Sequence, residues 1–461
     1  MKLECEHKNL LPLILVVASI LLSCRVSVRA NVSPVKTAIA RFMPVQQTPV
    51  PDASLAAPGE ACFGSAFGLT CLGQSGWRMQ TSQDSALRSD RIFDLAFCPD
   101  QRLVVSHALG VDVSGVEGWQ PADDESMGIP VGVLCDFQNR LWLAYEDRIE
   151  LLQAKDRVVF DREEVAADQP LFVDLTATSA GDIWVLTPQC VARYDGKKWQ
   201  ENCIDRQQGT PVFLKAFAAG KGHQIWVAHD AGILRFENGK WQAFRAPLSG
   251  TLRDIAVDIS GHVWLSMAGR LLMFDPDTAD WIDFSAGERS PGVGVVNALA
   301  ADGQGRVWVG GEWGLAILDG ERWTSYRMDT AALADNALSS IAVMGGGPAL
   351  PAALSMPMGA ISGRIIEADL PLGGVAVELC AGYLDSVFYG ETPCADKPLR
   401  KRVVTARDGR FVFTDLPAGR YYILVQDNQG VWAWLEMTDG AARPVLVRAG
   451  EETALGDLLI R

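Results

Sequence analysis

Apolar and polar residues alternate with a period of two along most of the chain, in short segments separated by Gly or Asp turns. From residue 252, LRDIAVD, HVWLSM, RLLMFD and ADWIDFS follow one another with this pattern. Each segment is rich in branched and aromatic residues, which favours β-strands over helices. Four such strands fit in about 40 residues, the length of one blade of a β-propeller.

Tryptophan recurs at fixed places within these units. IWVLTPQCVARYDGKKW (183–199) aligns without gaps with IWVAHDAGILRFENGKW (225–241) and VWVGGEWGLAILDGERW (307–323). A four-stranded sheet cannot bury both of its faces alone, so the repeat predicts sheets stacked around an axis with indoles in the wedge between them. The repeated positions are Trp142, Trp184, Trp226, Trp264 and Trp308, and then Trp77, Trp119, Trp199, Trp241, Trp281 and Trp323.

Two half-units flank six complete ones. FGLTCLGQSGWRMQTS (67–82) has the pattern of the third and fourth strands of a unit, and ALSSIAVMGGGPALPAALSM (337–356) that of the first and second. Strands near Leu69 and Trp77 are therefore expected to complete the sheet that begins near Ile341. The predicted fold class is all-β, with a seven-bladed β-propeller over residues 61–357 that is closed by a split blade.

The propeller repeats resemble the two-component regulator propeller family, whose units contain an Asp-x-x-Gly turn followed by spaced tryptophans. Members are commonly extracytoplasmic sensor domains of hybrid histidine kinases, often on polysaccharide-utilisation pathways. Because no membrane helix or kinase follows the propeller in this sequence, we expect recognition without phosphorylation in the same chain. The matching residues are Asp258, Gly261 and Trp264 in one unit, and Asp302, Gly305, Trp308, Gly314, Leu315 and Trp323 in the next.

From about Met358 the alternation continues without the tryptophan signature. Asp408-Gly409 predicts a tight turn, after which Phe411 and Phe413 point to one face. The stretches PLGGVAVEL, T-x-x-DG-x-F-x-F and LPAG-x-Y resemble the carboxypeptidase regulatory-like (prealbumin-like) domain. That resemblance implies a small Ig/prealbumin-like β-sandwich over residues 358–461 that is not itself catalytic.

Residues 1–30 predict a secretory signal peptide, with an apolar core LLPLILVVASILLSC (10–24). VRA (28–30) fits signal peptidase, whereas LLSC (21–24) resembles the bacterial lipobox, in which Cys24 is acylated; we favour the lipoprotein. Residues 31–60 form a Pro/Ala-rich linker. The protein is thus expected to be exported to the cell surface or periplasm, lipid-anchored or secreted, touching the membrane only through the lipid.

Composition limits the partners. Hydrophobic residues make up 48% and charged residues 21%, as in a globular protein, and the net charge of −15 argues against a nucleic-acid partner. Eight cysteines lie beyond Cys5 and Cys24, and an even number in an exported chain predicts disulfides. The expected pairs are Cys190–Cys203, Cys380–Cys394 and Cys62–Cys71, while Cys98 and Cys135 are either bonded across two repeats or buried thiols.

Two sets of residues are candidate ligand contacts. The first opens the inner strands that line the channel: Asp94, Gly132, Asp174, Lys215, Asp254, Asn297 and Ser340. Its carboxylates suit a cation or sugar hydroxyls, or else each side chain hydrogen-bonds the backbone of the next blade. The second set follows the second strand of each blade: His107, Tyr145, Thr187, His229, Asp230, Met267, Glu312 and Trp313.

Trp313 falls outside the repeated tryptophan positions, and an indole beside a carboxylate is a typical platform for a sugar ring. The alternative is that these residues pack on neighbouring loops. No nucleophile elbow, phosphate loop, dinucleotide fingerprint or HExxH motif occurs, so no cofactor or metal is predicted.

Three functions remain open from the sequence. The first is a non-catalytic extracytoplasmic binding or scaffold protein, whose partner is an oligosaccharide or an envelope protein. The second is an enzyme, since the repeats are similar to those of streptogramin lyases, with His229 or His107 and Glu312 in catalytic roles. The third is a structural component of the cell envelope.

Overall fold

The computed structural model describes residues 59–122, 128–153, 156–204, 213–285, 287–353, 356–367, 369–381, 392–395, 397, 399–426, 430–434 and 443–459. The predicted signal peptide, Cys24 and nearly all of the linker lie outside the described residues. Within these ranges regular structure is β almost throughout, apart from α1 (Arg162–Ala166) and one 3-10 turn (Gly287–Arg289). The all-β prediction is confirmed. Within the described ranges, no helix is long and apolar enough to cross a membrane.

The N-terminal strands are β1 (Ala61–Ser65), β2 (Gly68–Gly73) and β3 (Gly76–Gln80). Six antiparallel sheets of four consecutive strands follow, here numbered sheets 1 to 6. Sheet 1 comprises β4 (Ile92–Phe97), β5 (Leu103–His107), β6 (Gly110–Gly115) and β7 (Gly118–Pro121). Sheet 2 comprises β8 (Gly132–Cys135), β9 (Leu141–Ala144), β10 (Arg148–Gln153) and β11 (Asp156–Asp161). Sheet 3 comprises β12 (Asp174–Ala177), β13 (Ile183–Leu186), β14 (Cys190–Tyr194) and β15 (Trp199–Cys203).

The next three sheets repeat this order. Sheet 4 comprises β16 (Ala216–Ala219), β17 (Ile225–His229), β18 (Gly232–Glu237) and β19 (Lys240–Arg245). Sheet 5 comprises β20 (Leu252–Val257), β21 (Val263–Met267), β22 (Arg270–Asp275) and β23 (Asp280–Asp283). Sheet 6 comprises β24 (Val296–Ala301), β25 (Val307–Gly311), β26 (Gly314–Asp319) and β27 (Arg322–Tyr326).

A further sheet joins both ends of this region. Strand β28 (Leu338–Val343) pairs with β1, giving the order β28-β1-β2-β3, with Ile341 opposite Phe63. We call it the shared sheet. The sequence assigned two strands to each end, but three come from the N-terminal end and one from the C-terminal end. After β28 the chain turns at Gly345 and Gly347, both with positive φ, and residues 348–353 form no strand.

The first strands of these sheets are neighbours in a closed cycle. Each of β4, β8, β12, β16 and β20 contacts the first strand of the next sheet, and β28 contacts both β24 and β4. Strand β28 therefore completes the cycle, and its pairing with β1 determines whether the region closes.

Indoles fill the spaces between adjacent sheets. Trp142 and Trp226 are fully buried, and partly buried Trp199 packs against the cluster around Trp142. Buried indoles supply large apolar area at each sheet-to-sheet contact. Ring pairs that join neighbouring sheets are Trp142–Tyr194 at 5.5 Å, Trp184–Phe236 at 5.6 Å, Trp226–Phe274 at 6.0 Å and Phe63–Trp308 at 5.9 Å between centroids.

The Asp of the Asp-x-x-Gly motif organises the turn between the first and second strands. One oxygen of Asp258 accepts the backbone N–H groups of Ser260, Gly261 and His262, and the other accepts Nε1 of Trp264 at 3.0 Å. Gly261 has φ +96°, which favours glycine. In sheets 2, 5 and 6 this aspartate therefore ties the turn to the wedge tryptophan, whereas in sheet 4 Nε1 of Trp226 donates to Gln224 instead. Equivalent bonds join Asp136 to Trp142 and Asp302 to Trp308 at 2.9 Å each.

Sheet 3 departs from this arrangement. Thr178 occupies the Asp position with the same backbone pattern, since its N–H donates to Asp182 O and its carbonyl accepts the N–H of Gly181. Trp184 Nε1 is buried and, among the described residues, has no hydrogen-bond partner. A buried donor without an acceptor costs about 1–3 kcal/mol, so this turn is less stable than its counterparts.

Residues 359–459 form two further sheets, here called the C-terminal sheets. One comprises β29 (Gly359–Glu367), β30 (Leu370–Pro371), β33 (Arg410–Leu416) and β37 (Glu452–Leu459), in the order β30-β29-β33 with β37 paired in parallel to β29. The other comprises β31 (Ala376–Ala381), β32 (Arg400–Val404), β34 (Gly419–Gln426), β35 (Trp432–Trp434) and β36 (Val445–Val447), in the order β32-β31-β34-β35 with β36 paired to β34. Buried Phe411 and Phe413 share one face, as predicted. The Asp408-Gly409 turn connects strands of different sheets.

Four disulfides are present among the described residues. The three predicted pairs are confirmed: Cys62–Cys71, Cys190–Cys203 and Cys380–Cys394. The remaining alternative is also resolved, because Cys98 and Cys135 are bonded and connect sheet 1 to sheet 2.

Candidate functional site

The first strand of each sheet begins, and the second strand finishes, at the same end of the sheet, because neighbouring strands are antiparallel. We call this the connector end, since the segments that join consecutive sheets also arrive there. The opposite end, with the Asp-x-x-Gly turns, is the turn end. Every candidate contact predicted from the sequence falls at or just below the connector end.

His107 is completely buried and cannot reach a ligand at the surface. Its Nδ1 accepts the N–H of Leu109, and its Nε2 lies 2.8 Å from Oδ2 of Asp112. The Nε of Arg88 donates to the other oxygen of Asp112 at 2.6 Å. Burial by itself raises the pKa of Asp112, but hydrogen bonds from His107 and Arg88 hold that pKa below its ordinary value. His107 thus stabilises the sheet interior, contrary to its predicted role.

Tyr145 is also buried, with 3% of its surface exposed. The guanidinium carbon of Arg148 lies 3.9 Å from the centre of its ring. Thr187 donates to Gln169 inside sheet 3, and Met267 is wholly buried in the apolar core. Their burial removes all three from the set of ligand contacts and corrects the prediction for Tyr145.

His229 and Asp230 end the second strand of sheet 4 and remain partly accessible. Asp230 accepts Nζ of Lys215 at 2.5 Å and the N–H of Leu252 at 3.2 Å, so it connects sheet 4 to sheet 5. Ala231 donates its N–H to Nδ1 of His229 at 3.2 Å. Burial lowers the pKa of His229, although the charge of Asp230 opposes this. The ring is therefore neutral at neutral pH and carries its proton on Nε2.

Arg253 and Asn297 extend these contacts to the next two sheets. Nη1 of Arg253 in sheet 5 donates to Oδ1 of Asn297 in sheet 6 at 3.1 Å. Nδ2 of Asn297 donates to the carbonyl of Leu338 in the shared sheet at 3.3 Å. Polar side chains therefore join consecutive first strands around this side of the connector end.

Glu312 and Trp313 lie in the loop after the second strand of sheet 6. Their N–H groups donate to the carbonyls of Val295 and Val293, which fixes the loop against the incoming connector. The indole is half-buried, because part of it covers Gly294, where an added Cβ would lie 2.9 Å from ring carbons. The sequence left open whether this indole is exposed or packs on its neighbours; part of it packs on Gly294 and the rest is accessible.

The residues that the structure brings to one side of the connector end form a set that we call the polar arc. Sequence reasoning missed Arg253 as a member and placed Lys215 only in the channel. The alternation in LRDIAVD was the available signal, because it sets Arg253 on the opposite side of the strand from Asp254. The polar arc consists of Lys215, His229, Asp230, Arg253, Glu312 and Trp313, and buried Asn297 supports it from below.

Three aspartates lie one position further along the first strands than Arg253 does in its strand. Asp94, Asp174 and Asp254 are all fully buried. Asp94 accepts the N–H of Val133 on the next first strand at 3.0 Å, and Asp254 accepts that of Leu299 at 2.6 Å. Burial raises the pKa of Asp174 well above its ordinary value, and the negative charges of Asp94 and Asp254 raise it further. These bonds agree with the alternative that the carboxyls connect neighbouring sheets.

The alignment of Asn297 with these aspartates is wrong by one residue. The same bulge opens β20 and β24, where Asp254 pairs with Ser266 and Ala298 with Gly310, so Ala298 occupies the position of Asp254 and Asn297 that of Arg253. Lys215 is displaced in the same way, since Ala216 begins the paired segment of its strand.

Two groups of potential metal ligands occur among the described residues, one around Glu60 and one around Glu201. Each contains two cysteines that are joined in a disulfide, Cys62–Cys71 and Cys190–Cys203, so neither is a metal site. Two open grooves of about 350 and 360 Å³ lie elsewhere, one beside Arg443 to Leu455 and one beside Gly347 to Pro351.

Several solved structures are similar to this chain. A streptogramin B lyase is 14% identical, with a TM-score of 0.48 over 63% of this chain and 95% of the lyase. The virginiamycin B lyase from Staphylococcus aureus is 12% identical, with a TM-score of 0.45 over 59% and 92% of the two chains. The extracellular domain of a putative one-component system from B. thetaiotaomicron is 12% identical, with a TM-score of 0.35 over 86% and 68%.

No protein-family model matches the sequence, and no curated protein does. The function of the chain is therefore inferred from its own residues.

Proposed function

We propose that this chain is an exported, non-catalytic binding protein that recognises an extracytoplasmic ligand at the connector end. The observation that supports this is the polar arc, in which partly exposed polar side chains on three consecutive sheets are held by hydrogen bonds to one another and to the backbone. Side chains fixed before binding lose little conformational entropy when a ligand arrives. A rigid sheet framework below variable loops suits recognition.

The chemistry of the polar arc fits an oligosaccharide. The accessible part of the Trp313 indole offers an apolar face for a sugar ring, and the carboxylates of Asp230 and Glu312 accept hydroxyl groups. Lys215 and the Nε2–H of His229 donate to ring or hydroxyl oxygens. Because both charge signs are present, a neutral sugar suits this surface better than a strongly charged ligand.

The proposed architecture has four parts. Residues 1–30 are the signal peptide with Cys24 as the lipid acceptor, residues 31–60 are a linker, residues 61–357 are a propeller whose blades are the seven sheets, and residues 358–461 are a carboxypeptidase regulatory-like β-sandwich. The closed cycle of first strands supports the propeller, and the disulfides support export, since they persist in oxidising compartments. Mass spectrometry of the mature N-terminus separates an acylated Cys24 from a protein that begins at Asn31.

Trp313→Ala tests the binding proposal. The full chain is screened on an oligosaccharide array, and the sugar with the strongest signal is titrated into both proteins. The variant should bind at least about fivefold more weakly, because stacking of a ring on an aromatic side chain contributes about 1–3 kcal/mol. Phe137→Ala is the matched control, because Phe137 is an aromatic side chain at the turn end with 38% of its surface exposed. Unchanged affinity in Trp313→Ala, or an equal loss in Phe137→Ala, contradicts the placement of the site.

The enzyme alternative rests on His229, the imidazole that stays accessible in the polar arc. A catalytic base needs a free nitrogen lone pair, but Nδ1 already accepts the N–H of Ala231, so the ring offers a donor at Nε2. This geometry favours binding over proton abstraction. A lyase would convert a streptogramin B substrate and lose that activity in His229→Ala, whereas the binding proposal expects no turnover by the unaltered chain.

A further inference from the structure

The shared sheet is the weak point of the closed cycle. Its closure depends on the pairing of β1 with β28, from Ala61 opposite Val343 to Ser65 opposite Leu338. We call this strand pair the seam. None of the four disulfides among the described residues crosses it, because Cys62 is bonded to Cys71 within the N-terminal strands. Bringing together two strands so distant in sequence carries a substantial loop-closure entropy.

One side chain of the C-terminal sheets touches both sides of the seam. Arg420, in β34, places its guanidinium carbon 3.6 Å from the centre of the Phe67 ring, in the turn between β1 and β2. Its Nη2 donates to the carbonyl of Ala334 at 3.4 Å, and its Nε lies 3.8 Å from Oδ2 of Asp335. Ala334 and Asp335 lie in the connector that leads into β28.

Apolar packing accompanies these contacts. Ala418, in the turn just before β34, is buried in the same cluster as Leu338 and Ile341 of β28 and Met328 of the connector. Leu446 of the C-terminal sheets packs against this cluster too. The C-terminal sheets thus share a hydrophobic core with the strand that closes the cycle.

The connector is also fixed to the N-terminal strands. Oγ1 of Thr70, in β2, accepts the N–H of Ala334 at 2.8 Å and donates to the carbonyl of Ala332 at 3.4 Å. Arg420 therefore covers a junction where the two ends of the sheet region already meet. Its stacked guanidinium adds an interaction that a desolvated site strengthens.

We propose that the C-terminal sheets act as a clasp on the seam, and that Arg420 is the side chain that holds β1 and β28 together from outside the shared sheet. This role goes beyond ligand recognition. It assigns the C-terminal sheets a function in keeping the cycle closed, and it does not require them to touch a ligand.

Amide hydrogen exchange on the full chain tests the clasp. In Arg420→Ala, the amides of β1 and β28 should exchange about tenfold faster, because local opening of the seam becomes easier, while those of β16 to β19 in sheet 4 keep their rates. Arg402→Ala is the matched control. Arg402 also lies against an aromatic ring, at 5.2 Å from Trp432, but both residues belong to the C-terminal sheets.

A second variant, Phe67→Ala, keeps the clasp testable if Arg420→Ala fails to fold. Phe67→Ala removes the ring on the other side of the contact and should also accelerate exchange at the seam. The double variant should show less than the product of the two single effects, because both remove one interaction. The clasp is overturned if seam exchange stays at the wild-type rate, if it rises equally in sheet 4, or if Arg402→Ala produces the same change.

Discussion

Replacing Asp335 with Asn should stabilise the protein at neutral pH. Asp335 is 7% exposed, and burial raises its pKa to about 6, although Arg420 and the N–H groups of Ala337 and Asn336 oppose the shift. Against the ordinary value of 3.8, the difference of about 2 pKa units corresponds to about 3 kcal/mol. The folded state therefore bears this cost whenever the carboxyl is ionised.

The pH dependence of this contribution to stability follows from the linkage between proton binding and folding. Because the folded state holds the proton more tightly than the unfolded state, the contribution of Asp335 to stability is complete below about pH 4, falls as the pH rises, and is lost above about pH 6. The charged group that acts on Asp335 is Arg420. Arg420 is in turn influenced by the titratable groups of Asp90 and Tyr422. Asn keeps the size and an acceptor oxygen but carries no charge.

Denaturant unfolding of both proteins at about pH 4 and about pH 7 measures the effect. The gain of the variant over wild type should be near zero at the lower pH and reach about 3 kcal/mol at the higher pH, a value in which the opposing attraction to Arg420 is already included. A variant whose advantage does not grow with pH, or that is less stable at both pH values, refutes the reasoning.

Two further substitutions test the buried polar groups. Thr178→Asp should raise the thermal midpoint and stabilise the protein by about 1 kcal/mol, because the new carboxylate can accept Trp184 Nε1; an unchanged midpoint and an unshifted indole N–H resonance would contradict this. Asp174→Asn should change the thermal midpoint little, because burial and the negative charges of Asp94 and Asp254 raise the pKa of Asp174 and disfavour its ionised form, which the amide removes. Asp254→Asn is its comparison and should cost about 1–3 kcal/mol, since an amide NH₂ would face a backbone N–H of Ile255 or Leu299; equal losses in the two variants would be the opposing result.

The elements of the fold that the sequence predicted are those repeated along the chain. The tryptophan spacing predicted the buried wedges. The Asp-x-x-Gly residues marked the turns, although only the structure shows that their carboxylate accepts the indole N–H of the same sheet. Cysteine spacing predicted the hairpin disulfides, because partners close in sequence face each other across antiparallel strands. Local patterns fix these features, so a single sequence suffices to find them.

The site residues depended on burial and register, which single residue types do not encode. His107 and Tyr145 follow the second strands as predicted, yet Asp112 and Arg148 draw them into the interior. Asn297 corresponds to Arg253 and not to Asp254, and a shift of one residue reverses the side of a strand on which a side chain lies. The contact of Arg420 with Phe67 joins residues far apart in sequence, and no local pattern predicts it.

The central claim is that the polar arc at the connector end binds a ligand. Hydrogen exchange of the full chain, with and without a saturating concentration of the oligosaccharide selected on the array, tests it most directly. We predict slower exchange in the loops at His229 to Ala231, Gly250 to Arg253 and Glu312 to Gly314, with the turn end unchanged. Protection at Phe137 and Ile259 of the turn end, protection confined to the C-terminal sheets, or no oligosaccharide bound at all would contradict the claim.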